Sequence, residues 1–188
     1  MLKRAIQFTY VLLFSAAGAI VLTGSKATKS DSARVERGRY LVTAIGCSDC
    51  HTPKNLGPDG PELDTERLLS GHPAEMVMPP APKLPPGPWL VSGAGTLTAW
   101  AGPWGTSFAA NLTPDDETGL GLWKEEQFVS AIRTGRHMGQ GRPILPPMPA
   151  ANFANFSDED LRSIFAYLKS IPAVKNRVPE PLPPADLR

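Results

Sequence analysis

The chain has 188 residues, of which 41 % are hydrophobic and 20 % are charged. This composition predicts one domain with a real core and excludes a highly charged, disordered chain. The 19 basic residues are nearly balanced by 18 acidic ones, so the chain lacks the strongly basic character of a nucleic-acid-binding protein. With 21 prolines and 17 glycines, much of the domain should be irregular loop.

An uncharged apolar run, residues 5–22, follows Lys3 and Arg4 at the start of the chain. Basic residues before an apolar stretch are typical of an export signal, but the run is also at the lower length limit for spanning a bilayer. Residues 1–27 are therefore interpreted as either a cleaved signal peptide or an N-terminal membrane anchor. Both interpretations place the rest of the chain outside the cytoplasm. The polar residues 28–33 are interpreted as a linker.

Three helices are predicted from apolar residues that recur on one helical face. They cover residues 34–45, 124–134 and 158–170. Ser157 is the expected N-cap of the last helix, because three acidic residues follow it and favour the positive end of the helix dipole. A short helix over residues 64–70 is expected to end at Gly71.

The stretch 73–110 is rich in proline and glycine, so no long helix fits there. It is predicted to be a loop insertion into the domain, with short β-strands around Gly-Pro turns. The candidate strands are residues 89–91, 96–100 and 105–109. Prolines also dominate residues 173–188, which are predicted to form an extended C-terminal tail.

Both cysteines of the chain lie in the sequence Cys47-Ser48-Asp49-Cys50-His51. Cys-x-x-Cys-His is the attachment pattern of c-type haem. Its spacing lets two thiols form thioether bonds to one haem edge and brings the following imidazole to the iron. A thioredoxin-like pair would need a βαβ context, and a zinc site would need more ligands with paired spacing. The motif therefore predicts one covalently attached haem c, with His51 as an iron ligand.

The second axial ligand is predicted to be Met148, because electron-transfer cytochromes c commonly use methionine opposite histidine. Met148 lies in Pro146-Pro147-Met148-Pro149, where the prolines stiffen a loop that could hold a thioether against iron. The sequence leaves other candidates open, namely Met76, Met78, Met138, His72 and His137.

The order of these features resembles that of class I c-type cytochromes. The resemblance implies a mainly α fold, with the cytochrome domain over residues 34–172. In that family the first and last helices cross near a glycine and aromatic residues. Here Gly38 and Tyr40 would meet Phe165 and Tyr167.

A narrower resemblance rests on the runs 111–115, 118–123, 132–135 and 141–149. These are similar to segments in the cytochrome subunits of membrane-bound bacterial alcohol and aldehyde dehydrogenases. The resemblance implies that the methionine of the Pro-Met-Pro turn binds iron, which favours Met148. Those subunits usually carry three haem motifs, whereas this chain has one.

Together the motif and the resemblance predict an electron-transfer protein rather than an enzyme. We expect it to carry single electrons from a periplasmic or membrane-bound dehydrogenase to a cytochrome or an oxidase. It would be periplasmic in a bacterium, either soluble or tethered to the inner membrane through residues 5–22. Two alternatives remain: a haem enzyme or gas sensor with a displaceable sixth ligand, and a haem subunit of a larger complex that docks through residues 73–103.

Overall fold

The computed structural model describes residues 29–184. This part of the chain contains five α-helices and two small antiparallel sheets. The helices are α1 (Lys29–Ala44), α2 (Cys47–His51), α3 (Glu125–Thr134), α4 (Ala150–Phe153) and α5 (Asp158–Ser170). The strands are β1 (Lys54–Gly57), β2 (Gly60–Leu63), β3 (Ser92–Gly93), β4 (Ala99–Gly102) and β5 (Gly105–Phe108).

Only 34 % of the structure is helical and two small sheets are present, so the structure does not support the expected mainly α fold. The reason is the proline and glycine content, which confines helix to the segments around the core. The predicted signal peptide or anchor lies outside the described residues. Within residues 29–184, no helix is long and apolar enough to cross a membrane.

The predicted helices agree with the structure at most of their ends. Helix α3 ends at Gly135, which has a left-handed backbone, and the Ser157 side chain accepts a hydrogen bond from the Asp160 amide at the start of α5. Helix α1 starts earlier than expected, because residues assigned to the linker are helical. The apolar faces of α1, α3 and α5 form the core, whose buried residues include Val42, Ile132, Leu161 and Leu168.

Helices α1 and α5 cross at Gly38. A Cβ atom at this position would overlap the carbonyl oxygen of Ser163 and lie 2.8 Å from the Cβ of Tyr167. Gly38 therefore allows the two backbones to approach closely. Tyr40 does not take part as expected, because its side chain is 60 % exposed and lies beside the Arg37 guanidinium.

The insertion forms a three-stranded antiparallel sheet in the order β3-β4-β5. Two of its strands lie close to the predicted strands 96–100 and 105–109, whereas residues 89–91 form no strand. The hairpin β1–β2 was not predicted, since its proline- and glycine-rich sequence favours loop. Its turn ends at Gly60, whose φ of 123° few other residues adopt.

The C-terminal tail, which the structure describes as far as residue 184, is bound along the domain. Leu182 lies beside β5 and pairs with Thr106 of that strand through two backbone hydrogen bonds of 2.9 Å. The Asn176 side chain is buried between the loops at residues 70–74 and 111–118. The tail therefore contributes to the packing of the domain.

Candidate haem-binding site

Helix α2 is a single helical turn that contains all three residues of the attachment motif. It follows Gly46, whose left-handed backbone (φ 72°) redirects the chain after α1. Within one turn, residues three apart lie on the same side of a helix. Cys47 and Cys50 therefore share a side, and His51 ends the same turn.

The imidazole of His51 is oriented by a residue far along the chain. Its Nδ1 lies 2.8 Å from the carbonyl oxygen of Ala110. Because a carbonyl only accepts, Nδ1 carries the proton and donates it, and the lone pair of the ring is on Nε2. Histidine ligands of metals commonly donate their other ring N–H in this way. Burial also lowers the pKa of His51 and so favours the neutral form that binds metal.

The two cysteines are partly buried and form no disulfide. Burial raises the pKa of the Cys47 thiol to about 11, and it also raises the pKa of Cys50. Redox-active Cys-x-x-Cys pairs depend on a lowered thiol pKa. The thiols therefore lack the character of a thioredoxin-like pair. Among residues 29–184, no cluster of His, Cys, Asp and Glu side chains could hold a metal ion.

Two backbone segments, residues 71–72 and 109–110, lie beside His51 and bond to each other. The amide of Gly71 donates to the carbonyl oxygen of His51 over 2.8 Å, and the amide of His72 donates to Ala109 over 2.9 Å. Gly71 has a φ of 81°, and a Cβ there would lie 2.6 Å from the carbonyl carbon of Ala110. From the sequence, Gly71 is expected only to end a short helix. Its role beside the histidine depends on contacts that the local sequence does not reveal.

Met148 lies in a loop that is fastened to the insertion. The Ser107 hydroxyl donates to the carbonyl oxygen of Pro146 over 2.6 Å, and the Ala150 amide donates to that of Met148 over 2.9 Å. The Met148 side chain is partly buried and packs against the main hydrophobic core. Cys47 packs against the same core. The attachment turn and the Pro-Met-Pro loop therefore adjoin one apolar region.

The other candidate iron ligands from the sequence lie in surroundings that differ from those of Met148. His72 is completely buried, and its ring nitrogens lie 2.9 Å from the Thr98 hydroxyl and 3.1 Å from the Met76 carbonyl oxygen. His137 packs edge-on against Trp123, with ring centroids 5.0 Å apart. Met76 and Met78 line a cavity of about 410 Å³ beside β1. Met138 lies in a short turn after α3 with a φ of 51°.

These observations fit a covalently bound haem. The motif supplies two thiols on one side of a turn, and the histidine is held in the tautomer that leaves Nε2 free. Met148 offers a soft thioether in an apolar setting that would shield a porphyrin from water. The site is therefore of the c-type haem class.

Comparisons with known proteins agree with this class. No protein-family model matches the chain. Over 148 residues, 79 % of the chain, it is 32 % identical to a subunit of the nicotinate dehydrogenase of Pseudomonas putida, of which it covers 9 %. Over 174 residues, 90 % of the chain, it is 28 % identical to the cytochrome c subunit of a quinone alcohol dehydrogenase of Gluconobacter oxydans, of which it covers 29 %.

A diheme c-type cytochrome of Cereibacter sphaeroides is 31 % identical over 142 residues, covering 74 % of the chain and 36 % of that protein. The chain thus spans about a third or less of the length of these relatives. The predicted resemblance is confirmed: the chain is a relative of the cytochrome c subunits of bacterial dehydrogenases. The names of these relatives include a cytochrome c subunit of a dehydrogenase and a c-type cytochrome.

Proposed function

We propose that the protein is a mono-haem c-type cytochrome that carries single electrons. Haem c is attached through Cys47 and Cys50, and its iron is bound by His51 and Met148. The observation that carries this proposal is the 2.8 Å contact between His51 Nδ1 and the Ala110 carbonyl, because it orients the ligand nitrogen on the attachment turn. One haem per chain is proposed because both cysteines belong to a single motif.

When bound, haem supplies an iron centre that changes its charge by one electron. His51 would bind the iron through Nε2, and its hydrogen bond to Ala110 fixes the ring plane and raises the basicity of Nε2. A thioether ligand from Met148 favours the reduced iron and raises the reduction potential. The buried core residues beside Cys47 and Met148 exclude water and stabilise the less charged state.

We further propose that a dehydrogenase donates the electrons and that a cytochrome or an oxidase accepts them. The names of the relatives as subunits of dehydrogenases support a redox protein as partner. The proposed location is the bacterial periplasm, either soluble or tethered to the inner membrane through residues 5–22. The apolar run after Lys3 and Arg4 supports export.

The test is to express the chain with a haem c maturation system and record visible spectra of both redox states, with and without CO. The expected result is a low-spin spectrum with an iron–sulfur charge-transfer band in the oxidised form and no CO binding. A Cys50→Ala variant serves as the control for covalent attachment. A high-spin spectrum that changes with CO would contradict the carrier proposal and favour a haem enzyme or gas sensor.

A second candidate function is docking to a larger oxidoreductase through the insertion. Every residue from 79 to 91 is exposed, and among them Trp89 is 76 % and Leu90 64 % exposed. Prolines recur every third residue at positions 79, 82, 85 and 88, and Lys83 is the one charged residue between positions 76 and 114. Such a stiff and largely apolar segment, with a single charge, fits a partner protein with an apolar surface.

Docking is tested by dehydrogenase-driven reduction of the haem in membranes of the source bacterium. The double substitution Trp89→Ser and Leu90→Ser should slow this reduction several-fold while reduction by ascorbate is unchanged. Leu122→Ser is the matched control, because Leu122 is equally exposed outside the insertion. The wild-type rate should depend little on salt, because the surface carries almost no charge. Equal rates for both variants would refute docking through this segment.

A further inference from the structure

Asn176, in the tail beyond the last helix, uses its whole side-chain amide to hold another segment. Its Nδ2 donates to the carbonyl oxygens of Ser70 over 2.7 Å and His72 over 2.9 Å, and its Oδ1 accepts from the Ala74 amide over 2.8 Å. The residue is only 9 % exposed. These bonds satisfy both donors of the amide and pin the backbone of residues 70–74 from one point.

Asn111 holds the tail from the other side. Its Nδ2 donates to the carbonyl oxygens of Val174 over 2.8 Å and Asn176 over 3.3 Å. Its Oδ1 accepts from the Thr113 amide over 3.0 Å, and the side chain is buried. The backbone amide of Asn176 donates to the Thr118 hydroxyl over 3.0 Å. Residues 174–176, which we call the tail clamp, therefore bridge residues 70–74 and 111–118.

The bridged segments are the ones that orient His51. Gly71, within the first, donates to the backbone carbonyl of His51, and Ala110, next to Asn111, accepts from its ring. Backbone bonds also join these two parts of the chain at their edges, from the His72 amide to the Ala109 carbonyl and from the Leu112 amide to the Leu69 carbonyl. The tail clamp thus bonds to residues that directly neighbour Gly71 and Ala110 in the chain, the two residues that bond to His51.

We infer that the tail clamp is part of the haem site and that Asn176 is a positioning residue for His51. By holding both segments in register, it keeps the hydrogen bond from Nδ1 to the Ala110 carbonyl short. A strong bond there makes Nε2 more basic and favours the oxidised iron, so the clamp lowers the reduction potential. This inference rests on the proposed function, because it takes His51 as the iron ligand.

The test is the substitution Asn176→Ala in the full chain with haem attached. Loss of the amide leaves the buried carbonyls of Ser70 and His72 without a donor and loosens both segments. The midpoint potential should rise by about 59 mV. For a one-electron couple, this corresponds to a change on the order of tenfold in the ratio of reduced to oxidised protein at a fixed potential.

Hydrogen exchange provides a readout that does not depend on the haem chemistry. In Asn176→Ala, the amides of Gly71, His72 and Leu112 should exchange at least tenfold faster, whereas amides in the middle of α5 should be unchanged. Arg177→Ala is the matched control, because this neighbouring side chain is exposed and lies outside the tail clamp. If Asn176→Ala matches Arg177→Ala in both potential and exchange, the inference is wrong.

A milder variant keeps the inference testable if Asn176→Ala does not mature. Thr118→Val removes the hydroxyl that accepts from the Asn176 amide and leaves the Asn176 side chain in place. It should shift the potential and the exchange in the same directions, but less. Failure of the proposed function would look different, because the wild-type spectrum itself would then lack histidine and methionine ligation.

Discussion

The Nδ1 atom of His51 lies 2.8 Å from the carbonyl oxygen of Ala110, although 59 positions separate the two residues. The attachment motif is local and places its groups within a single helical turn. The direction of the imidazole is not local, because it depends on a backbone segment at the far end of the insertion. The backbone around Ala110 therefore helps to orient the proposed ligand.

Replacement of Met148 by leucine tests the sixth ligand directly. Leucine has nearly the same volume, so the change in packing should alter the free energy of unfolding by less than about 1.5 kcal/mol. The thioether is lost, so the iron–sulfur charge-transfer band should disappear, CO should bind the reduced protein, and the reduction potential should fall. Visible spectra and a redox titration measure these effects.

Met138→Leu is the matched control for this substitution, because Met138 is also partly buried and lies in a loop. It should keep the band and resist CO. Loss of the band in Met138→Leu, with its retention in Met148→Leu, would assign the ligand to the turn after α3 instead.

Gly71→Ala should destabilise the protein through two separate effects. The φ of 81° costs about 1–2 kcal/mol for a residue with a Cβ. Overlap of that Cβ with the backbone of Ala109 and Ala110 adds about 1–3 kcal/mol, because a packed backbone cannot move aside. Chemical denaturation of the haem-bound protein measures the sum.

Gly135→Ala separates the two effects, because Gly135 also has a left-handed backbone but has open space around it. It should cost only the conformational part, about 1–2 kcal/mol. Equal losses for both glycines would mean that the close approach beside His51 contributes nothing to stability.

The sequence was sufficient to predict the features that depend on local patterns. Helices α3 and α5 have strong apolar faces and clear end signals at Gly135 and Ser157, and the structure confirms them. Two of the strands in the insertion were also predicted, since glycine and proline turns separate them. These elements are determined by residues close together in the chain.

Features that depend on distant contacts could not be predicted in the same way. The hairpin β1–β2 looks like loop in the sequence, because its pairing forms around Pro58-Asp59 and Pro61. The sequence predicts a tail outside the cytochrome domain. In the structure, Asn176 bonds to Thr118 and Ser70, which lie 58 and 106 positions before it, and Leu182 pairs with a residue of β5. A buried asparagine within a proline-rich stretch gives no periodic signal.

Gly38→Ala tests the crossing of α1 and α5. In an isolated helix this substitution would stabilise by about 1 kcal/mol, because alanine has the higher helix propensity. Here the added methyl overlaps the Ser163 carbonyl and meets Tyr167, so steric overlap should dominate and destabilise the fold by about 1–3 kcal/mol. Ser32→Ala on the exposed part of α1 is the control and should be neutral or slightly stabilising. A gain of stability in Gly38→Ala would contradict this account of the crossing.

His72 predicts how stability changes with pH. Its Nε2 can only donate to the Met76 carbonyl, so in the neutral ring Nδ1 accepts from the Thr98 hydroxyl. Burial lowers the pKa of His72 in the folded protein below its ordinary value near 6.5. As the pH falls below about 6.5, the unfolded chain therefore takes up a proton that the folded chain resists, and stability decreases until the folded pKa is passed.

The thermal midpoint of the haem-bound protein should accordingly fall between pH 7.5 and pH 5. In His72→Gln, whose amide can also donate and accept, the midpoint should be lower at pH 7.5 but flatter across this range. His137→Gln is the control, because His137 is exposed and should contribute less to the slope. A slope that disappears in His137→Gln and persists in His72→Gln would show that burial of His72 does not govern the response. Retention of the low-spin spectrum in His72→Gln would in addition separate this structural role from iron ligation.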